Sequence, residues 1–304
     1  MEDFLPIAHF KNEFVPFEQA NVSIATHALH YGTAAFGGLR GIRNPQNSQE
    51  ILLFRLDRHC QRLSQSAKFL HYDLPADKIY QTIVDFVKLN KPEKSFYIRP
   101  LVYSSGLGIA PRLHDIEKSF LLYGLIMGEY LSDEGVSCRI SSWTRQEDRS
   151  FPLRGKISAG YITSALAKTE AKESGFDEAI MLNTQGKICE ATGMNIFIVR
   201  NGTLITPSLD QDILEGITRD SIMTIAKDLA IPLQERTVDK SELFIADEAF
   251  LCGTAAKITP IHKIENFHLP KTRPFTEKLK LTLNAITQDQ EPKYQDWVTR
   301  INVS

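Results

Sequence analysis

The chain has 304 residues, 42% of them hydrophobic and 24% charged, with a formal net charge of −2. That length builds one large domain or two ordinary ones. The near balance of charge excludes a global field that would recruit nucleic acid or an acidic membrane surface.

The N-terminal MEDFLPIAHF is acidic and lacks the basic start and apolar core of a secretory signal. No uninterrupted apolar run reaches the roughly 18 residues a transmembrane helix needs. The cysteines, Cys60, Cys138, Cys189 and Cys252, form no C-x-x-C pair and have no histidine at zinc-ligand spacing. They read as buried free thiols in a reducing compartment, with no metal. A cytoplasmic protein is expected.

In chain order, VSIATHALHYG reads as a strand and loop, and ILLFRLDRHCQRLSQSAKFL as a strand that becomes an amphipathic helix. KIYQTIVDFVKLN sets Ile79, Ile83, Phe86 and Val87 on one helical face, and SFYIRPLVYSS is a strand. FLLYGLIMG is a continuous apolar run, as in a doubly buried strand. The polar EYLSDEGVS after it marks a linker over 128–135, between a small N-terminal domain (1–127) and a larger C-terminal one (136–304). SCRISSW is a strand, and SAGYITSALAKTEAKESG a helix ending at Gly175. A meander follows over 178–208, with turns at Asn183–Gly186 and at Asn201-Gly202, the latter a strong hairpin signal. GITRDSIMTIAKDLAI is a helix, and EAFLCGTAAKITPI a strand, loop and strand. The class is α+β with mixed or antiparallel sheets. No G-x-G-x-x-G follows a strand, and the βαβ rhythm of a dinucleotide-binding fold is absent.

Several residues suggest chemistry, each with an ordinary alternative. Lys156 lies in PLRGKISAGY among Gly155, Ser158, Ala159 and Gly160, small neighbours that let a ring approach the backbone. A partly desolvated amine there is a nucleophile towards an aldehyde; otherwise it is a solvated loop lysine. Glu190 sits among apolar residues, where a carboxylate needs a cationic partner or a special role, such as stabilising a protonated pyridine nitrogen. Ile217 and Thr218 open a helix whose amides favour an anion, although Thr218 could equally be a simple cap. Thr254 lies in the small-residue loop GTAAK. Arg62 is either a phosphate clamp or a solvated helix residue, and Tyr161 stands five residues beyond Lys156.

The stretches THALHYGTAAFGGLR, FRLDRHCQRLSQSA, YIRPL, SSW, GKISAGY, GKICEATGMNIF, LEGITRDSI and ADEAFLCGTAAKITP, in this order, resemble the class IV (fold-type IV) pyridoxal 5'-phosphate enzymes. Within them the likeness is to the branched-chain amino-acid aminotransferases, over about residues 8 to 262. The resemblance implies a two-domain fold like that of D-amino-acid aminotransferase, a small α/β domain plus a larger one with a β-barrel-like sheet core. It implies transamination of leucine, isoleucine and valine with 2-oxoglutarate. Lys156 matches the lysine that carries the cofactor and shuttles the proton, Glu190 the partner of the pyridine nitrogen, and Tyr161 the tyrosine near the phenolic oxygen. Arg62, Ile217, Thr218 and Thr254 match the phosphate cup. Tyr97 with the amides of Thr254 and Ala255 matches the substrate-carboxylate site. Phe36, Tyr31 and Tyr130 match side-chain pocket walls, and Arg99 the residue that meets the side-chain carboxylate of glutamate. A homodimer, or a hexamer built from dimers, is implied, with the loop around Gly106–Ile109 reaching a neighbour's pocket.

The chain departs from the family pattern at three places. Gly37 stands where F-E-G-I-R has glutamate, Met127 where tryptophan is frequent, and Lys257 where glutamate is common. D-amino-acid or (R)-amine aminotransferases and aminodeoxychorismate lyase share the fold and remain alternatives, as does a non-catalytic protein of this fold. Tyr97-Ile98-Arg99 favours the branched-chain type.

Overall fold

The computed structural model describes residues 3–128 and 134–304; Tyr130 and most of the expected linker lie outside the described residues. The chain divides into two compact units. The first takes the chain up to Gly128 together with Gly155–Ala159 and Ala285–Ser304, and the second takes the rest. Two segments of the expected C-terminal domain therefore pack with the N-terminal unit.

The first unit is built on strands Ile7–Phe10 (β1), Glu13–Pro16 (β2), Ala34–Phe36 (β3), Leu39–Asn44 (β4), Asn47–Phe54 (β5), Phe96–Ser104 (β6) and Lys118–Ile126 (β7), with the last strand of the chain, Val298–Asn302 (β17). They form one sheet in the order β17-β5-β4-β6-β7-β1-β2, with β3 also on β6. β17 runs antiparallel to β5 from Val298↔Phe54 to Asn302↔Glu50. That pairing returns the C-terminus to this unit. Helices Leu56–Lys68 (α2) and Ala76–Asn90 (α3) pack on each other and on the sheet. Ile79, Ile83, Phe86 and Val87 are fully buried, as their helical spacing predicts.

Two expectations change here. β7 is not doubly buried: Phe120, Leu122 and Gly124 are buried while Leu121, Tyr123 and Leu125 are only partly covered. An antiparallel sheet closes one face on the core and leaves the other partly open, whatever the hydropathy of the run. Residues 22–32, expected as strand and loop, contain a short helix, His27–Tyr31 (α1), ended by left-handed Gly32. Its anchor is non-local. The fully buried His27 ring contacts Thr33 Oγ1 at 2.9 Å and the Ala110 carbonyl at 2.8 Å.

The second unit is a nine-stranded mixed sheet of Val136–Ile140 (β8), Glu178–Leu182 (β9), Ile188–Ala191 (β10), Asn195–Arg200 (β11), Thr203–Thr206 (β12), Leu233–Glu235 (β13), Glu248–Gly253 (β14), Lys257–Ile264 (β15) and Phe267–His268 (β16). β8 runs parallel to both β9 and β15, and β12 parallel to β13. Asn201 and Gly202, both at positive φ (49° and 71°), make the β11–β12 hairpin that the Asn-Gly pair predicts. Tyr161–Glu173 (α4) lays Ala167 and Ala171 on Ala179 and Met181 of β9. It ends with Gly175 at φ 82°; the Phe176 N–H donates to Ala171 and the Gly175 N–H to Lys172, a Schellman close. Ile217–Asp228 (α5) packs on β14 and β13, and Pro274–Thr287 (α6) starts on buried Glu248, which accepts from the Thr276 amide at 2.8 Å.

All four cysteines are buried and unpaired, and burial first, then the charges of Asp57 and Asp77, push the Cys60 thiol up to about 12. Among the described residues no helix is long and apolar enough to cross a membrane, and no cluster of histidine, cysteine, aspartate or glutamate is arranged to hold a metal.

One ion network predicts an acid-stability step. Hydrogen bonds from Arg236 above all, then from the Asp239 amide and Arg200, outweigh burial and hold Glu242 at about 2, below its ordinary 4.5. A carboxyl depressed in the folded state stabilises above its unfolded pKa, and that support is lost as pH falls from 4.5 through 2. Solvent screening at these partly exposed arginines reduces the contribution to on the order of 2 kcal/mol. Glu242→Gln should lower stability at pH 7 and flatten the loss between pH 5 and 2, measured by urea unfolding across that range; parallel wild-type and variant profiles would refute it.

Candidate active site

Within the first unit, β6 carries Tyr97 and Arg99 on one face, since residues two apart in a strand project alike. Arg99 Nη2 donates to the Tyr97 hydroxyl at 3.3 Å, and the Arg99 guanidinium lies 4.5 Å from the centroid of the Phe36 ring. Lys156 Nζ lies 5.1 Å from the same ring. Phe36, Tyr97, Arg99 and Lys156 are thus one cluster, although 120 residues of sequence separate its ends. The Arg99 Nε is buried with no hydrogen-bond partner among the described residues, a spare donor beside an aromatic surface.

Two glycines make the cluster possible. A Cβ on Gly38 would stand 1.9 Å from the Tyr97 hydroxyl, so only glycine lets that hydroxyl lie where it does. A Cβ on Gly37 would meet Pro100 Cγ at 2.8 Å. The end of β3 packs directly on β6 there, which is a local account of glycine at the position where the family pattern has glutamate.

The main chain of Lys156 is held on both sides. The Phe36 amide donates to the Lys156 carbonyl at 3.0 Å, and the Lys156 amide donates to Ser66 Oγ at 3.1 Å. Ser66 lies one helical turn beyond Arg62 on α2. Also on α2, the His59 imidazole is held well below 6.5, by burial first and then by the charges of Arg62, Lys156 and Arg55. It stays neutral at ordinary pH. Tyr31, at the end of α1, donates its hydroxyl to the Ile109 carbonyl, which ties α1 to the 106–110 loop.

In the second unit Glu190 is 5% exposed. Its partner is Arg145, with Nη2 at 2.7 Å from one carboxylate oxygen, while Asn195 Nδ2 (2.8 Å) and the Leu214 amide (3.1 Å) donate to the other. The cationic partner is a mostly buried arginine. Asn195 also donates to the Leu214 carbonyl at 3.0 Å, and a Cβ on Gly216 would stand 1.9 Å from its Oδ1. Gly216 is the N-cap of α5 and provides no side-chain cap, so Thr218 is the second helical residue rather than the cap. The first-turn amides of Ile217 and Thr218 therefore have no side-chain acceptor at the N-cap. Asn195 pairs with Cys252 of β14, two residues before Thr254, and Thr254–Ala256 form the turn between β14 and β15. Glu190, the start of α5 and the Thr254 turn are thereby organised around one asparagine. Tyr161 is the first residue of α4.

Sequence reasoning assigned no role to Arg145, Asn195, Ser66 or His59. Asn195 and Ser66 fall inside the motif stretches, but Arg145 lies two residues past SSW and carried no signal by itself.

The profile of the family "Amino-transferase class IV" matches residues 44–264. A protein of Synechocystis sp., described as a probable branched-chain-amino-acid aminotransferase, is 73% identical over 301 residues, covering 99% of each chain. The crystal structure of the branched-chain aminotransferase of Thermoproteus uzoniensis with norvaline superposes with a TM-score of 0.93 at 39% identity, covering 97% of this chain and 99% of that one. The pyridoxal-phosphate form of the enzyme from Thermobaculum terrenum also gives 0.93, at 34% identity and 99% coverage of both chains.

Proposed function

The chain belongs to the class IV aminotransferases, and we propose that it moves the amino group of leucine, isoleucine or valine to 2-oxoglutarate with pyridoxal 5'-phosphate as cofactor. The observation that carries this reading is the cluster of Lys156, Phe36, Tyr97 and Arg99: an amine, an apolar ring and a guanidinium with a spare buried donor. Such a surface accepts an aliphatic side chain against Phe36 and also the second carboxylate of glutamate at Arg99.

The residues present fit the cofactor. Glu190 is a buried carboxylate suited to a protonated ring nitrogen, and the α5 start with an uncapped first turn suits a phosphate. Arg62, Ile217, Thr218 and Thr254 would hold the phosphate, Tyr161 the phenolic oxygen, and Lys156 the aldehyde carbon. When bound, the cofactor supplies a conjugated ring that accepts the electron pair left on the substrate Cα.

Lys156 Nζ would move the proton between the substrate Cα and the cofactor's aldehyde carbon, outward from Cα when the amino acid is consumed and back to Cα when the oxo acid is aminated. The Tyr97 hydroxyl and the amides of Thr254 and Ala255 bind the α-carboxylate and so orient the Cα–H bond. Phe36 and Tyr31 wall the side chain, and Tyr130, outside the described residues, is assigned to the same wall. Arg99 recognises the γ-carboxylate of glutamate and 2-oxoglutarate. Glu190, kept in an ion pair with Arg145, stabilises positive charge on the ring nitrogen. Ile24, Leu107 and Ile109, at 86%, 65% and 84% exposure, are large apolar side chains left to water and support at least a homodimer. The protein is assigned to the cytoplasm.

A substrate panel on the cofactor-loaded protein tests the reading. Leucine, isoleucine and valine with 2-oxoglutarate should be the best pairs in a coupled assay; D-alanine outpacing L-leucine would overturn the substrate assignment. Arg99→Met should raise KM for 2-oxoglutarate by about 10-fold or more, the loss of a charge-assisted hydrogen bond, with KM for leucine within about threefold. Equal changes for both substrates would remove Arg99 from this role.

A further inference from the structure

Ser66 is completely buried and both its hydrogen-bonding functions are used. Its hydroxyl donates to the Arg62 carbonyl at 2.8 Å, four residues back on α2. A hydroxyl has one proton, so only its lone pairs face the rest of the protein, and they accept the Lys156 amide at 3.1 Å. On the other side of the same residue, the Lys156 carbonyl takes the Phe36 amide at 3.0 Å. The backbone of Lys156 is therefore clamped between α2 and β3. One uninterrupted path runs from Lys156 N–H through the Ser66 hydroxyl to Arg62 C=O.

We propose that Ser66 is a positioning residue for the reaction, fixing the Lys156 backbone in register with Arg62 through its shared hydroxyl. The inference rests on the roles assigned to Lys156 and Arg62 above. Its physical basis is that a lysine side chain has four rotatable bonds, so the reach of Nζ is only as well defined as its Cα. Without Ser66 Oγ the Lys156 amide loses this buried acceptor, and a buried hydrogen bond that is lost favours a shift of the segment from Gly155. A displacement of about 1 Å at a reacting group costs up to 10²-fold in rate. Another small side chain at position 66 would also fill the space, but none without a hydroxyl serves both ends of the path.

The test compares cofactor-loaded wild type, Ser66→Ala and Ser66→Thr. Ser66→Ala should lower kcat by about tenfold with KM within about twofold. It should also reduce the visible circular-dichroism signal of the lysine-bound cofactor and speed amide hydrogen exchange in the peptide spanning Lys156. Ser66→Thr, which keeps the hydroxyl, should restore the signal and the slow exchange. Unchanged kcat, dichroism and exchange in Ser66→Ala would overturn the proposal, as would a loss equal in Ser66→Thr when both variants melt like wild type. A wild-type protein that shows no visible band with added pyridoxal phosphate would instead sink the proposed function, and hydrogen exchange at Lys156 in apo wild type and Ser66→Ala would still decide whether the clamp exists.

Discussion

Lys156→Ala is expected to abolish the visible absorbance of the pyridoxal-phosphate-loaded protein, near ~410–430 nm, and to reduce turnover by on the order of 10⁵-fold or more. The size follows from the two tasks proposed for this amine, anchoring the cofactor and moving the Cα proton. His59, the titratable side chain beside it on α2, is buried and held well below 6.5, and it sits among Arg62 and Arg55. The variant should fold normally, because Phe36 and Ser66 hold residue 156 through main-chain atoms that alanine retains. A melting temperature close to wild type with no band and no leucine-dependent glutamate formation is the expected result. A band that survives would place the cofactor on another amine.

Glu190→Gln is expected to keep the cofactor while slowing Cα-proton removal by about 10²–10³-fold, the range seen when one preorganised electrostatic partner of a transition state is lost. Here the charge matters more than the shape. The carboxylate accepts from Arg145 on one oxygen and from Asn195 and Leu214 on the other, so an amide can satisfy one side only and must turn its NH₂ towards donors on the other. The mismatch should cost about 1–3 kcal/mol of stability. Stopped-flow measurement of the half-reaction with leucine, paired with thermal unfolding, separates the two effects. Proton removal at the wild-type rate would mean that Glu190 does not serve the ring nitrogen.

The contrast between legible and illegible features runs along the range of the interactions. Asn201-Gly202 needed only its own backbone preference for positive φ to declare a hairpin, and Gly175 ended α4 for the same reason. The buried face of α3 was readable because helical periodicity is written within fifteen residues. Lys156 and Glu190 were nameable only as parts of ordered motifs, since a lysine among glycines or a glutamate in an apolar strand has common structural explanations.

The sequence by itself determined the elements whose energetics are local: the amphipathic helices, the positive-φ turns, the α+β class and the small-residue loops at Lys156 and Thr254. Tertiary structure alone decided which of those elements share a site. It returned β17 to β5, turned the apolar run of β7 into a strand buried on one face, and made α1 a helix around a buried histidine with partners six and 83 residues away. It also supplied Arg145 to Glu190 and Ser66 to Lys156, the latter across 90 residues. A hydrogen bond or ion pair between distant residues leaves no periodicity and no composition signal, because any one donor and one acceptor anywhere in the chain would satisfy it. Only the packed backbone selects which pair does.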